Sequence, residues 1–174
     1  NDREVGTLGL LSTVLSAFFC VLGGWLSDRY GRRRTLAIFI AGTTIPSFIL
    51  AYQLQHFGWV VPIDPSMANR PIPAPELVSL FWTLTLSYSV FQGLMYGVGT
   101  AIFMDVTTPR VAASQFTAYM ALSNLVFSYS STWQGHSMVR WGYPATLVLD
   151  GVFGLVCLLV LPFMGRLRHA EPPE

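Results

Sequence analysis

The 174 residues are 52% hydrophobic and 11% charged, where a soluble domain carries about a quarter charged residues. A soluble globule of this length is therefore excluded. The formal net charge is +1, which supplies no broad positive field for nucleic acid.

Five apolar segments follow one another, at about 6–27, 35–54, 77–104, 111–134 and 143–165. Crossing hydrocarbon about 30 Å thick takes roughly 20 residues of helix. The segments are apolar nearly all round, as helices facing lipid or a packed bundle are. The expected fold class is all-α: a polytopic transmembrane helical bundle forming a single domain over 1–174, with five spans.

The first two segments are joined by a polar turn from Gly24 to Arg34, which carries Asp28, Arg29, Gly31, Arg32, Arg33 and Arg34. The next connection, 55–76, holds Pro62, Pro65, Pro71, Pro73 and Pro75, too many prolines to continue a helix. Asp105–Arg110 is a short turn, Gln134–Trp141 is read as another, and 166–174 is a polar tail. Pro46 marks an expected kink in the second span.

All ten basic residues are arginine, and alternating the spans sorts them by side. Arg29, Arg32, Arg33, Arg34, Arg110, Arg166 and Arg168 fall on one face, against Arg3, Arg70 and Arg140 on the other. The positive-inside rule makes the first face cytoplasmic, with the amino end outside and the carboxyl end inside. Trp59, Trp82, Trp133 and Trp141 then sit toward the outer boundary, where amphipathic rings favour the headgroups.

Within the third span, Trp82, Thr85, Ser89, Gln92, Tyr96 and Thr100 recur every three or four residues and share a face. Together with Asn124 of the fourth span they are the candidate wall of a solute path, because polar groups at membrane depth turn toward bundle interiors or aqueous cavities. The opposite stripe, Leu84, Tyr88, Phe91, Met95, Val98 and Ile102, suits lipid or packed helices. Gly93 and Gly97 permit close helix packing. Asp150 is the carboxylate inside an apolar span and is the candidate for proton coupling. Cys20 and Cys157 lie in apolar runs as free packing thiols. His56, His136 and His169 are not spaced for a metal, and no set of nucleophile, base and acid suggests an enzyme; no cofactor is expected.

The spacing G-x-x-x-D-R-x-G-R-R from Gly24 to Arg33 resembles the signature loop of the major facilitator superfamily of secondary transporters. The resemblance implies two six-helix halves, each a pair of inverted three-helix repeats, that alternate access across the membrane. It also implies a conformational latch of Gly24, Asp28, Arg29, Gly31, Arg32 and Arg33, with Asp105 as the partner of an arginine. Gly97–Met104, the 105–110 turn and Ala113-Ser114-Gln115-Phe116-Thr117 resemble the carboxyl-terminal half of AmpG-like muropeptide permeases. Acetyl-coenzyme A transporters are fainter relatives. The expectation is a proton-coupled permease of a bacterial inner membrane that moves a polar organic solute such as an anhydro-muropeptide. Five spans with this loop after the first make a half without its opening helix, hence a fragment whose partners are the lipid bilayer, an amino-terminal half and a small solute. A non-transporting membrane scaffold or remnant is the alternative reading.

Overall fold

The computed structural model describes residues 2–63 and 72–163. Among them the chain is helical with no strand. Hydrocarbon offers no partners for backbone polar groups, and helices satisfy theirs internally. Four helical stretches are long and apolar enough to cross a membrane. They are α1 (Asp2–Tyr30), α2 (Arg32–His56), α3 (Pro75–Asp105) and a last stretch, Ala112–Val160, of 49 residues.

That last stretch contains two of the expected spans. A straight helix of its length would measure about 74 Å, more than twice the hydrocarbon thickness. It breaks at Gly142, whose φ of 85° and ψ of 173° are far from helical values, into arms here named α4 (112–141) and α5 (143–160). The arms fold back on each other. Gln134 and Asp150 would lie about 24 Å apart on one straight helix, yet their side chains are joined by a 2.7 Å hydrogen bond. The rings of Trp133 and Phe153 meet edge to face at 5.4 Å.

Two expected turns are corrected. Residues 134–141 are helical, and the reversal is confined to Gly142, where the Tyr143 N–H donates to the Val60 carbonyl at 2.8 Å. The polar turn after the first span contracts in the same way. α1 runs to Tyr30 and α2 starts at Arg32, so Gly31 alone, at φ 92°, makes the corner. A β-carbon opposes that conformation, and glycine has none. Pro46 lies within α2 without interrupting it. Pro75 opens α3 as one of its first residues, a position where the missing N–H costs nothing. Pro65, Pro71, Arg70, the end of the fifth span and the tail with Arg166, Arg168 and His169 lie outside the described residues.

α1 and α3 make the closest contact in the bundle. A β-carbon on Gly93 would strike the backbone carbonyl of Ser16, one on Gly97 that of Cys20, and one on Gly23 the backbone of Leu94. Glycines four residues apart on α3 therefore face backbone four residues apart on α1, the geometry in which small residues let membrane helices approach. Phe39, Leu94, Val98 and Ile102 form the buried core beside this seam, with Phe19, Leu22, Leu26 and Leu36 against them. α2 extends the packing, Gly42 receiving the ring of Phe91. α5 docks on the far side of α2, where Phe48 covers Gly151.

Elsewhere, large apolar side chains face outward, Val21 at 77% and Leu159 at 70% exposure among them. A soluble protein would bury such residues, whereas lipid solvates them.

The seam makes a test. Gly97→Ala should lower the thermal unfolding midpoint of the detergent-purified protein, with a cost of at least the 1–3 kcal/mol usual for overpacking. Gly99→Ala, whose β-carbon would meet nothing within 4 Å, should leave the midpoint unchanged or raise it.

Candidate functional site

At the Gly31 end of the bundle, three helices converge on one guanidinium. The corner places Asp28 in the last turn of α1 and Arg32 in the first turn of α2, while α3 ends at Asp105. Arg32 Nε donates to Asp105 Oδ2 at 2.6 Å and Nη2 donates to Oδ1 at 3.1 Å. This is the two-pronged fork that guanidinium and carboxylate geometry favours. Its Nη1 donates to Asp28 Oδ1 at 2.6 Å and to Ser27 Oγ at 2.9 Å. Ser27 is almost fully buried, and its hydroxyl donates in turn to the Gly24 carbonyl at 2.7 Å.

The two carboxylates are unequal. Asp105 is 22% exposed and Asp28 65%, against 25% for Arg32. The Asp105 pair is better shielded from water and salt, so it is the stronger of the two.

The other residues expected to form a latch lie around this hub. Arg29 stacks its guanidinium over the Trp25 ring at 5.8 Å. Arg33 Nη2 is buried without a hydrogen-bond partner. A β-carbon on Gly24 would meet nothing within 4 Å, and its neighbour Gly23 is the residue that faces Leu94. Beyond Asp105, the Thr108 N–H donates to Gln115 Oε1 at 2.7 Å, closing the turn into α4. Phe103 and Tyr119 stack across that turn at 5.4 Å.

The polar stripe of α3 does not form a single wall. Ser89 and Thr100 donate their hydroxyls to carbonyls of their own helix, Thr85 and Tyr96 respectively. Gln92 and Tyr96, by contrast, make no side-chain hydrogen bond among the described residues. Both open onto a cavity of about 560 Å³ between α1, α3 and α4, which Ser12, Ser16 and Phe127 also line. Thr85 turns instead into a cavity of about 420 Å³ between α2, α3, α4 and α5, shared with Leu84 and Tyr88 of the stripe expected to face lipid or packed helices. Trp82 and Asn124 line none of the described cavities, and Asn124 is exposed.

Asp150 sits on α5 facing α3 and α4. With Tyr88 and Gln134 it lines both the 420 Å³ cavity and another of about 640 Å³. Its Oδ1 accepts from Gln134 Nε2, and no cation pairs with it among the described residues. A charged side chain at the centre of a membrane helix costs about 2.5–3.5 kcal/mol on insertion scales. One hydrogen bond to a charged group contributes about 1.5–3 kcal/mol, a partial offset. Sequence reading found Asp150 but not Gln134 or Tyr88. Their partnership depends on the Gly142 reversal, and no local pattern reports that fold-back.

No group of three or more His, Cys, Asp or Glu among the described residues is arranged to hold a metal ion. The family model of the Major Facilitator Superfamily matches residues 1–174. The chain belongs to that superfamily. No curated protein and no solved structure matches it. Major facilitator proteins are transporters and generally not enzymes, and this one is an integral membrane protein of major facilitator type.

The unequal pairs at Arg32 predict unequal variants. Asp105→Asn should shift the balance between joined and separated ends of α2 and α3 more than Asp28→Asn. An exposed pair contributes about 0.2–1 kcal/mol, so the Asp28 change should move that ratio less than about fivefold. Distances between spin labels near the Gly31 end of α2 and the Asp105 end of α3 would report both ratios.

Proposed function

We propose that this chain is part of a proton-coupled secondary permease, its helices corresponding to spans eight to twelve, and that the Arg32 hub is its conformational latch. The observation that carries the reading is the joining of α1, α2 and α3 at one membrane end by a single guanidinium. Four charge-assisted or polar bonds on one residue hold three helix ends in a single arrangement. If α3 tilts relative to α2, the fork is lost as a unit. The unmet Nη2 donor of Arg33 is what a latch that exchanges partners between states leaves free in one of them.

The arginine bias makes the latch end cytoplasmic and the Gly142 end external. A bacterial inner membrane and a second, amino-terminal half complete the proposal, both on the strength of the AmpG-like resemblance. Gln92 and Tyr96 would meet the solute, since their polar groups are unspent and face a cavity. Asp150 would carry the proton, as the carboxylate inside the spans that has no cationic partner among the described residues. The resemblance names an anhydro-muropeptide as the polar solute, and cavities of several hundred Å³ suit a bulky one.

Two measurements test this. In a chain whose Cys20 and Cys157 are replaced, cysteines at Val61 and Val111 mark opposite ends. A membrane-impermeant thiol reagent added outside intact cells should label the first and spare the second. The opposite pattern would reverse the side assignment.

For transport, full-length protein in proteoliposomes should accumulate radiolabelled anhydro-muropeptide when an inward proton gradient is imposed. Gln92→Ala should raise the apparent KM several-fold, in line with the roughly 0.5–1.5 kcal/mol of one neutral hydrogen bond. Uptake indifferent to the gradient would remove proton coupling. Absence of uptake would remove the muropeptide.

A further inference from the structure

The 420 Å³ cavity lies at the end of the bundle away from the latch, between α2, α3, α4 and α5. Its walls are apolar and aromatic, with Phe81, Tyr88 and Tyr143 prominent, and the charged group on its lining is Asp150. One carboxylate oxygen is occupied by Gln134. The other oxygen makes no hydrogen bond or ion pair among the described residues. The unpartnered negative charge thus borders a space large enough for a small organic molecule.

We propose that this cavity binds an amphipathic organic cation, its ammonium group against Asp150 and its hydrocarbon body among Phe81, Tyr88 and Tyr143. A cation supplies the charge that the carboxylate lacks, and aromatic rings favour an ammonium ion electrostatically. The apolar walls reward a hydrocarbon body in a way that a bare inorganic ion cannot exploit. A divalent metal is a poor occupant, because it needs several oxygen ligands and one carboxylate stands here. The site shares no lining residue with the 560 Å³ cavity of Gln92 and Tyr96, although Gln92 and Asp150 both line the 640 Å³ cavity, and the proposal stands whether or not the transported solute is a muropeptide.

The test uses full-length transporter in lipid nanodiscs, with empty nanodiscs as the blank. The probes are radiolabelled benzyltrimethylammonium and its uncharged isostere, 2,2-dimethyl-1-phenylpropane, measured by equilibrium dialysis. The cation should bind saturably, and Asp150→Asn should weaken it at least tenfold while leaving the isostere unaffected. Asp150→Glu should retain binding, and Gly99→Ala, whose β-carbon would meet nothing within 4 Å, should not alter it. An unchanged thermal midpoint in Asp150→Asn would show that the loss is local. Equal cation binding by Asp150→Asn and the parent protein would overturn the proposal, as would no saturable binding above the blank. Displacement of the probe by millimolar sodium would also overturn it, assigning the carboxylate to an inorganic ion. Uptake of muropeptide is read in a separate assay, so its failure leaves cation binding standing, whereas the coupled proton and the cation would compete for the one carboxylate of Asp150.

Discussion

The backbone contact between α1 and α3 sets the position of everything else. Gly93 and Gly97 leave no room between α3 and the Ser16–Cys20 stretch of α1, so the two helices have one register. That register carries the end of α3 to the Gly31 corner, where Asp105 meets Arg32 as a fork. It also sets which side of α3 remains for α2, and through α2 for α5. A side chain larger than hydrogen on the seam would separate the helices and move Asp105 away from its partner. In lipid, where apolar surface gains nothing by leaving the solvent, such close van der Waals packing is the main attraction between helices.

Most polar residues in the spans are silent once the helices form. Thr13, Ser87, Ser89, Thr100, Thr117 and Ser131 each donate a hydroxyl to a carbonyl four residues back. This local bond satisfies the group without engaging another helix. Gln92, Gln134 and Asp150 behave differently: among the described residues none of them bonds to its own helix backbone, so their amides and acid keep polar groups for the cavities they line. Counting serines and threonines along a membrane helix therefore overstates its polar surface.

The helical class, the membrane spans and the superfamily were legible because each leaves a local trace: apolar runs of spanning length, a basic turn, and glycine and charge at fixed spacing. That Asp105 would meet one of the turn's arginines was anticipated, since they fall at the same membrane end, but the turn did not tell which arginine; the structure makes it Arg32. The Gly142 reversal was misplaced over 134–141 because Gly135 and several polar residues resemble a loop. The structure keeps them helical and bends at the glycine with positive φ. The split of the α3 stripe between two cavities was not legible. Helical spacing assigns residues to a face, but it does not tell which of two neighbouring helices closes over each part of that face. For the same reason Tyr88, grouped by spacing with the apolar stripe, lies beside Asp150 at the cavity wall.

α3 carries a residue of each charged site. Asp105 closes the Arg32 fork at one end, and Tyr88, 17 residues earlier, borders Asp150 toward the other. About 25 Å of continuous helix separates them, and the glycine seam holds that helix against α1. A displacement of α1 and α3 together against α2 would therefore open the Arg32 fork and change the surroundings of Asp150 at once. A displacement of α5 alone would alter the second site and leave the first intact. Occupancy of the Asp150 cavity can influence the Arg32 fork only by the difference in its binding energy between two positions of α3. Influence of that kind requires α3 and α5 to move relative to each other. The separation of the two helices by a cavity leaves room for that motion, whereas the α1–α3 seam, with backbone against backbone, does not.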